Sequence, residues 1–169
     1  MANDVTNVKL GTATITYNSV LLGHTKGGVE ISIETDKREI NVDEYGSTPV
    51  GAYVIGQRIE VKVQLAEHTL TQLKTMIPDS TLVTGATKNQ VDLGKAAGNA
   101  ITPYELLIHP TAYGVATTHD WTIYKAIVMG DIAVAYKTEE ETVFEVTFLA
   151  LADESKAATK KLAKIGTSD

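Results

Sequence analysis

The stretch that decides the fold is residues 36–67, DKREINVDEYGSTPVGAYVIGQRIEVKVQLAE. Its last third alternates apolar and polar residues, the period of a half-buried strand. One face of that strand carries Ile59, Val61, Val63 and Leu65, and the other carries Arg58, Glu60, Lys62 and Gln64. At its start, Asp36-Lys37-Arg38 predicts a hairpin turn that leads into a short strand at residues 39–42.

Between these strands lies a long arm, residues 36–56, that is too apolar to be an ordinary solvated loop. The apolar side chains on which this interpretation depends are Val42, Tyr45, Val50, Tyr53 and Val54, with Ile55 beside them. A large exposed apolar surface usually marks an interaction site. We therefore expect the arm to pack on another copy of the chain.

Upstream of the arm, residues 29–35 predict a strand. Val29, Ile31 and Ile33 alternate with Glu30, Ser32 and Glu34, so three aliphatic side chains are expected in the core. Gly27-Gly28 predicts a turn before it, and a short strand is expected earlier, at residues 13–17.

Downstream, one helix is predicted at residues 68–77. Leu70, Leu73 and Met76 fall at helical spacing, and Pro78 ends the run. Thr69 is a candidate N-cap, without a capping box. Residues 81–98 predict an exposed loop with a short strand at 90–93, and further strands are expected at 105–109, 121–129, 131–136 and 141–151.

These elements indicate a mainly β fold, a β-sandwich or barrel with one flanking α-helix and a long hairpin arm. The β domain is expected to span residues 1–152. Residues 153–169 differ in composition, with four lysines against three carboxylates in a chain whose formal net charge is −6. Two interpretations of this tail stay open: a frayed, solvated terminus, or a segment that orders by docking on a neighbouring subunit.

Composition excludes several classes of function. The acidic balance argues against a surface that binds nucleic acid, because such a surface needs a basic patch. The absence of cysteine excludes disulfides and thiolate chemistry. No signal peptide and no apolar run of membrane-spanning length is visible, so we expect a protein that folds in a cytoplasm.

No catalytic constellation is recognisable. The four histidines, His24, His68, His109 and His119, lie in separate segments without ligand spacing, so each is expected to be an ordinary surface or turn residue. The run Glu139-Glu140-Glu141 predicts a solvated turn, since consecutive carboxylates cannot all be buried. We therefore expect no enzyme activity, no cofactor and no metal, and a structural role.

Most of the chain resembles the tail tube proteins of long-tailed bacteriophages. The resemblance rests on an acidic hairpin, the turn YGSTPV, and the passage VKVQLAEHTL from strand to helix, in that order. It is most specific over residues 28–73, weaker over 104–152 and absent at the C-terminal end. In that family two packed β-sheets close toward a barrel, identical subunits form hexameric rings, and the rings stack through the arm. The type VI secretion tube protein shares this fold and ring.

The resemblance implies a subunit of the virion tail that is assembled in the host cytoplasm. Its partners would be other copies of itself, the tape-measure protein, the tail-tip and terminator proteins, and a sheath if the tail is contractile. Double-stranded DNA would pass through the channel without specific binding. An acidic wall suits that passage, because a positive wall would hold DNA. The candidate lumen residues are Glu30, Ser32, Glu34, Glu60 and Gln64, with Arg58 and Lys62 expected at ring contacts.

Two alternatives remain open at this point. A type VI secretion-like tube protein would form rings that stack only weakly. A carbohydrate-binding β-sandwich would use aromatic side chains, and the candidates are Trp121, Tyr104, Tyr113 and Tyr124.

Overall fold

One large antiparallel sheet dominates the computed structural model, which describes residues 8–67, 69–94, 97–134 and 142–167. Strands account for 53% of the described residues and helical residues for 13%. The prediction of a mainly β, sandwich- or barrel-like fold with one helix is confirmed.

The chain contributes ten described strands and one described α-helix. The strands are β1 (Ala13–Tyr17), β2 (Val20–Leu21), β3 (Thr25–Asn41), β4 (Pro49–Leu65), β5 (Thr81–Thr84), β6 (Asn89–Asp92), β7 (Tyr104–Pro110), β8 (Trp121–Val134), β9 (Phe144–Ala150) and β10 (Ala163–Ile165). The helix α1 (Leu70–Met76) lies between β4 and β5. The sheet order is β2-β1-β7-β8-β9-β4-β3, with β10 also paired to β8, and β5 and β6 form a separate hairpin.

The core is built from strand faces of period two. Ile59, Val61, Val63 and Leu65 of β4 are all buried, as their alternation predicts. They cluster with residues of β9 and also with Ile15 and Tyr17 of β1, which lies at the far side of the sheet order. The sheet therefore curls so that its two ends share one core. Burial, and then the nearby Tyr104, raise the pKa of Tyr17 to about 12, and its hydroxyl donates to the Ala126 carbonyl at 3.1 Å.

The prediction that β3 buries three aliphatic side chains is only partly right. Val29 and Ile31 are half-buried, but Ile33 is 49% exposed. Ile33 lies opposite Ile59, one residue beyond the pairs that β9 makes with β4. Ile59 is still buried, so at this level the core covers β4 but not the edge strand β3.

The predicted turn at Asp36-Lys37-Arg38 is wrong. β3 runs straight through these residues to Asn41, and the chain reverses in a 3₁₀ turn at Asp43–Tyr45 that ends at Gly46, φ +61°. A two-stranded ribbon is solvated on both faces, so charged residues are tolerated within it. The glycine that accepts the left-handed conformation, rather than the charge cluster, marks the turn.

The helix begins with a capping box, which the sequence analysis did not expect. The Gln72 backbone N–H donates to Thr69 Oγ1 at 3.3 Å, and the Thr69 N–H donates to Gln72 Oε1 at 2.6 Å. Gln72 is buried and its Nε2 also donates to the Leu21 carbonyl at 3.1 Å. The same side chain therefore caps α1 and joins it to β2.

Three further expectations need correction. Residues 81–98 contain the β5–β6 hairpin rather than one short strand in a loop. The strands expected at 121–129 and 131–136 are one strand, because β8 continues through Gly130 with a register shift between Met129 and Ala133. Gly27 and Gly28 likewise lie within β3, at a register shift before Val29. His68 and the run Glu139-Glu140-Glu141 lie outside the described residues.

The expectation of a frayed terminus is wrong for residues 153–167, because this segment packs on the sheet of its own chain. β10 pairs with β8, and the Gly166 N–H donates to the Asp120 carbonyl at 2.7 Å. A Cβ at Gly166 would lie 2.6 Å from the Thr118 carbonyl oxygen, so only glycine allows this approach. Lys125 Nζ lies 3.1 Å from the buried Asp153. Hydrogen bonds from Lys125 and Ser155 hold the pKa of Asp153 below its usual value.

The capping box yields the first prediction. Thr69→Ala should lower the free energy of unfolding by about 1 kcal/mol, since it removes the acceptor for the Gln72 N–H. Urea unfolding measures the change. Thr71→Ala is the matched control, because Thr71 is exposed in the first turn and should show no loss. Equal effects of the two substitutions would mean that the box does not stabilise α1.

Candidate assembly surfaces

The arm is a two-stranded ribbon that leaves the sheet. Residues 35–41 of β3 pair with residues 49–57 of β4, for example Arg38 with Tyr53 and Lys37 with Val54. The pairing of β9 with β4 stops at Glu60, so no third described strand accompanies this part of β4. An isolated two-stranded hairpin is only marginally stable in water. The arm is thus the part of the sheet with the least support from its own subunit.

Apolar side chains are exposed along this ribbon. Tyr53 is 67% exposed, Val54 63% and Ile55 68%, and Tyr45 and Val50 are exposed as well. Val42, at the turn, is half-buried. The five predicted arm residues therefore all lie on the ribbon or its turn, which is where a partner would have to cover them.

Two bulges shape the arm, and the sequence analysis did not find them. The pairing shifts between Asp36 and Lys37 and between Ile40 and Asn41, which leaves Ile55 and Val50 of β4 without a residue opposite. A bulge increases the twist of a strand and redirects the extra side chain. Both extra residues are aliphatic, so the bulges turn apolar groups outward.

The unpaired edge of β3 is a second surface, to which a strand of another molecule can add. Within the described ranges β3 pairs only with β4, although it is 17 residues long. The backbone groups on its other edge form a template for another strand. Monomeric proteins usually shorten or cover such an edge, and this chain extends it into the arm.

All five candidate lumen residues lie on one face of the sheet. Glu30 faces Lys62, Ser32 faces Glu60 and Glu34 faces Arg58, while Gln64 continues the same side of β4. This face is opposite the core, so the alternation in β3 and β4 placed the residues together correctly. The sequence analysis missed Glu145 of β9, which lies opposite Gln64 and extends the same face. Glu145 could have been identified from the alternation of buried and solvated residues along β9.

Negatively charged side chains outnumber positively charged ones on this face. Together with Lys26, which lines the same surface, it carries four carboxylates (Glu30, Glu34, Glu60, Glu145) and three cations (Lys26, Arg58, Lys62) across β3, β4 and β9. Arg58 Nη2 lies 2.5 Å from Glu60 Oε1, and Arg58 Nε donates to the same oxygen at 2.7 Å. Arg58 is thus engaged within its own chain. An exposed pair of this kind contributes no more than about 1 kcal/mol, so its main effect is on the local charge.

One histidine differs from the ordinary surface residue that the sequence predicted. His109 Nδ1 donates to Asp120 Oδ1 at 2.5 Å, and its Nε2 donates to the Gly114 carbonyl at 2.7 Å. Since an acceptor faces each ring nitrogen, the protonated imidazolium is favoured. The hydrogen bond to Asp120, and then that to Gly114, raise the pKa of His109.

His109 holds the loop between β7 and β8 through hydrogen bonds to Asp120 and Gly114, and it is not positioned for acid–base catalysis. Both of its nitrogens are occupied, so neither is available to take a proton from a nucleophile. The segment it holds connects β7 to β8, and Asp120 in turn accepts the hydrogen bond from Gly166. His24 is exposed, and His119 stacks on Tyr113 with ring centroids 3.7 Å apart.

The aromatic residues considered for a sugar site have separate partners. Tyr104 packs edge-on against Tyr17, Tyr113 stacks on His119, and Tyr124 lies under Lys156 Nζ at 4.9 Å. Trp121 packs against the core. No ring contact in the described part of the chain joins two of these four residues, so they do not form one platform.

Neither a metal site nor a membrane-spanning helix is recognisable among the described residues. No group of three or more metal-ligating side chains was found there. No helix in the described ranges has the length and apolar character that crossing a membrane requires.

The His109 interaction predicts a pH-dependent stability. Because its pKa is raised in the folded protein, the stabilisation is complete below the usual histidine value of 6.5 and is lost as the pH rises through the raised value. His109→Gln should therefore lower the melting temperature more at pH 5.5 than at pH 9. His24→Gln is the control, since His24 is exposed. A loss for His109→Gln that is the same at both pH values would contradict the charged interaction.

No protein-family model matches the chain, and no curated protein matches it.

Proposed function

We propose that this chain is the structural subunit of a bacteriophage tail tube, which polymerises as stacked rings around a channel for DNA. Its role is mechanical and not catalytic. The observation that carries the proposal is the arm, a ribbon with exposed apolar side chains that extends beyond its own core. Such a surface is stable when a second subunit covers it.

The free edge of β3 supports assembly into rings. An edge strand that pairs with a different part of a neighbour makes a head-to-tail contact, and such contacts close into a ring when the rotation is right. The arm then provides a contact in a second direction, from one ring to the next. Two head-to-tail contacts in different directions make a tube rather than a closed oligomer.

The acidic face of β3, β4 and β9 suits a channel wall. DNA carries a dense negative charge, and a protein surface binds it by displacing counterions with lysine and arginine. A wall with more carboxylates than cations avoids this binding, so the DNA can slide. Glu30 and Glu34 supply this charge on β3, next to the free edge.

In the virion, the proposed partners differ between the rings, the channel and the two ends of the tube. Other copies of this chain occupy the rings, the tape-measure protein and DNA occupy the channel, and tail-tip and terminator proteins close the ends. A sheath surrounds the tube if the tail is contractile.

Negative-stain electron microscopy of the concentrated protein tests the proposal directly. We expect hollow filaments or stacked rings. Isolated rings that stack weakly would favour a type VI secretion-like tube instead. A monomer at every concentration and ionic strength would overturn the assembly role.

Replacing the arm separates folding from polymerisation. Residues 37–55 are exchanged for Asn-Gly, a two-residue turn that joins the paired residues Asp36 and Gly56. The free energy of unfolding should stay within about 1 kcal/mol, because a bare two-stranded ribbon contributes little. Tubes should no longer form, as seen by sedimentation and microscopy.

Hydrogen exchange of the intact chain complements this variant. The amides of Tyr53 and Val54 should exchange more slowly in the polymer than in the monomer. Equal protection in both states would mean that the arm is not an assembly contact.

Charge reversal tests the channel wall. Glu30→Lys with Glu34→Lys changes the charge by about four units per subunit, repeated around each ring. Each new lysine faces Lys62 or Arg58, and a like-charged pair costs less than about 1 kcal/mol. We expect tubes that still assemble but bind DNA, with binding that weakens steeply as salt increases.

The control carries the same charge change elsewhere, with Asp92→Lys on the separate β5–β6 hairpin and Glu154→Lys in the segment after β9. DNA should be retained inside tubes only by the first variant. Failure of the first variant to form rings would place these carboxylates at subunit contacts, and identical DNA retention by the two variants would place them outside the channel.

A further inference from the structure

The base of the arm forms one wall of an apolar groove, which we call the basal groove. Val54, Ile55 and Ile59 of β4 line one side, and Leu162 with its neighbours from the C-terminal segment lines the other. Lys160 and Lys161 line the same groove. Ile55 and Val54 are among the more exposed aliphatic residues of the chain, so this surface is open to solvent.

Among the described residues, no carboxylate pairs with the charges of the basal groove. Neither Lys160 nor Lys161 forms an ion pair within the described ranges. Unpaired cations beside an apolar surface fit an occupant with acidic and apolar side chains together.

The tip of the arm has this chemistry. It places Asp43 and Glu44 next to Tyr45, and all three are exposed. The two carboxylates form no ion pair in the described part of the chain either. Tyrosine adds a large apolar ring with a polar end, a combination common at the centre of protein interfaces.

The tip cannot reach the groove of its own chain. The tip and the β4 wall of the groove belong to one ribbon, and the seven residue steps from Asp36 to Asp43 span roughly 24 Å of extended strand. Contact between the two sites therefore requires a second molecule.

We propose that the arm tip of one subunit docks in the basal groove of another, with Tyr45 against the apolar walls and Asp43 and Glu44 against Lys160 and Lys161. This inference rests on the proposed tube function and specifies its longitudinal contact. Because the tip and the groove are different surfaces, the contact is head-to-tail and repeats without limit. The C-terminal segment, which the resemblance to tail tube proteins does not cover, supplies the receptor.

Charge reversal in both partners tests the contact. Asp43→Lys with Glu44→Lys, and separately Lys160→Glu with Lys161→Glu, should each lower the amount of sedimentable polymer at least about tenfold, because like charges then meet. All four substitutions in one chain should restore polymer to near the level of the unaltered protein. Circular dichroism and melting temperature verify that each variant folds.

A cysteine pair provides an independent measurement, since the chain contains no cysteine. Glu44→Cys with Lys160→Cys should give a ladder of covalent multimers under mild oxidation. Glu44→Cys with Lys88→Cys is the control, because Lys88 lies in the β5–β6 turn, and it should give no ladder.

The outcomes distinguish this inference from the function on which it rests. If the unaltered chain forms tubes but the fourfold variant is not restored and no ladder appears, the groove is not the receptor and the tube function stands. If the unaltered chain forms neither rings nor tubes, the function itself fails and the contact with it. A crosslink from Lys160→Cys to a different virion protein, in place of the ladder, would assign the groove to that protein and overturn the proposal.

Discussion

The structure depends on the unequal support that β4 receives along its length. From Glu60 to Leu65 it is paired on both sides, by β3 and β9, and its apolar face lies in the core. From Pro49 to Gln57 only β3 accompanies it. One continuous strand thus joins a part stabilised by hydrophobic burial to a part that protrudes, so the core fixes the direction in which the arm points.

Most of the correct predictions about which side chains face the core came from strand periodicity. The alternation in residues 58–65 predicted correctly which four residues face the core and which four face away from it. The pattern is reliable because a fold that exposed one of these aliphatic side chains would lose roughly 1.5–3 kcal/mol of burial free energy. The same reasoning grouped Glu30, Ser32 and Glu34 with Glu60 and Gln64. It also located the exposed apolar residues of the arm, since an apolar segment outside a strand pattern has to be covered by something.

The errors arose where a local pattern depended on a distant partner. Ile33 alternates as Val29 does, yet it is exposed on the edge strand β3, although Ile59 opposite it is buried. The charged residues at 36–38 look like a turn only if the ribbon is assumed to end there. His109 and Asp120 meet because β7 and β8 are neighbours, and β10 forms because β8 leaves an edge beside Trp121 and Ile123. None of these relations is encoded within one segment.

The position of β10 has a consequence for the timing of synthesis. The wall of the basal groove from residues 158–163 is held in place by β10 and by the hydrogen bond from Gly166, which are translated last among the described elements. A nascent chain can pair β3 with β4 early, since their contacts are local, but it lacks a complete groove. On the proposed docking, chains still on the ribosome would expose arms before their own receptor grooves are complete, so polymer growth would follow synthesis of the C-terminal segment.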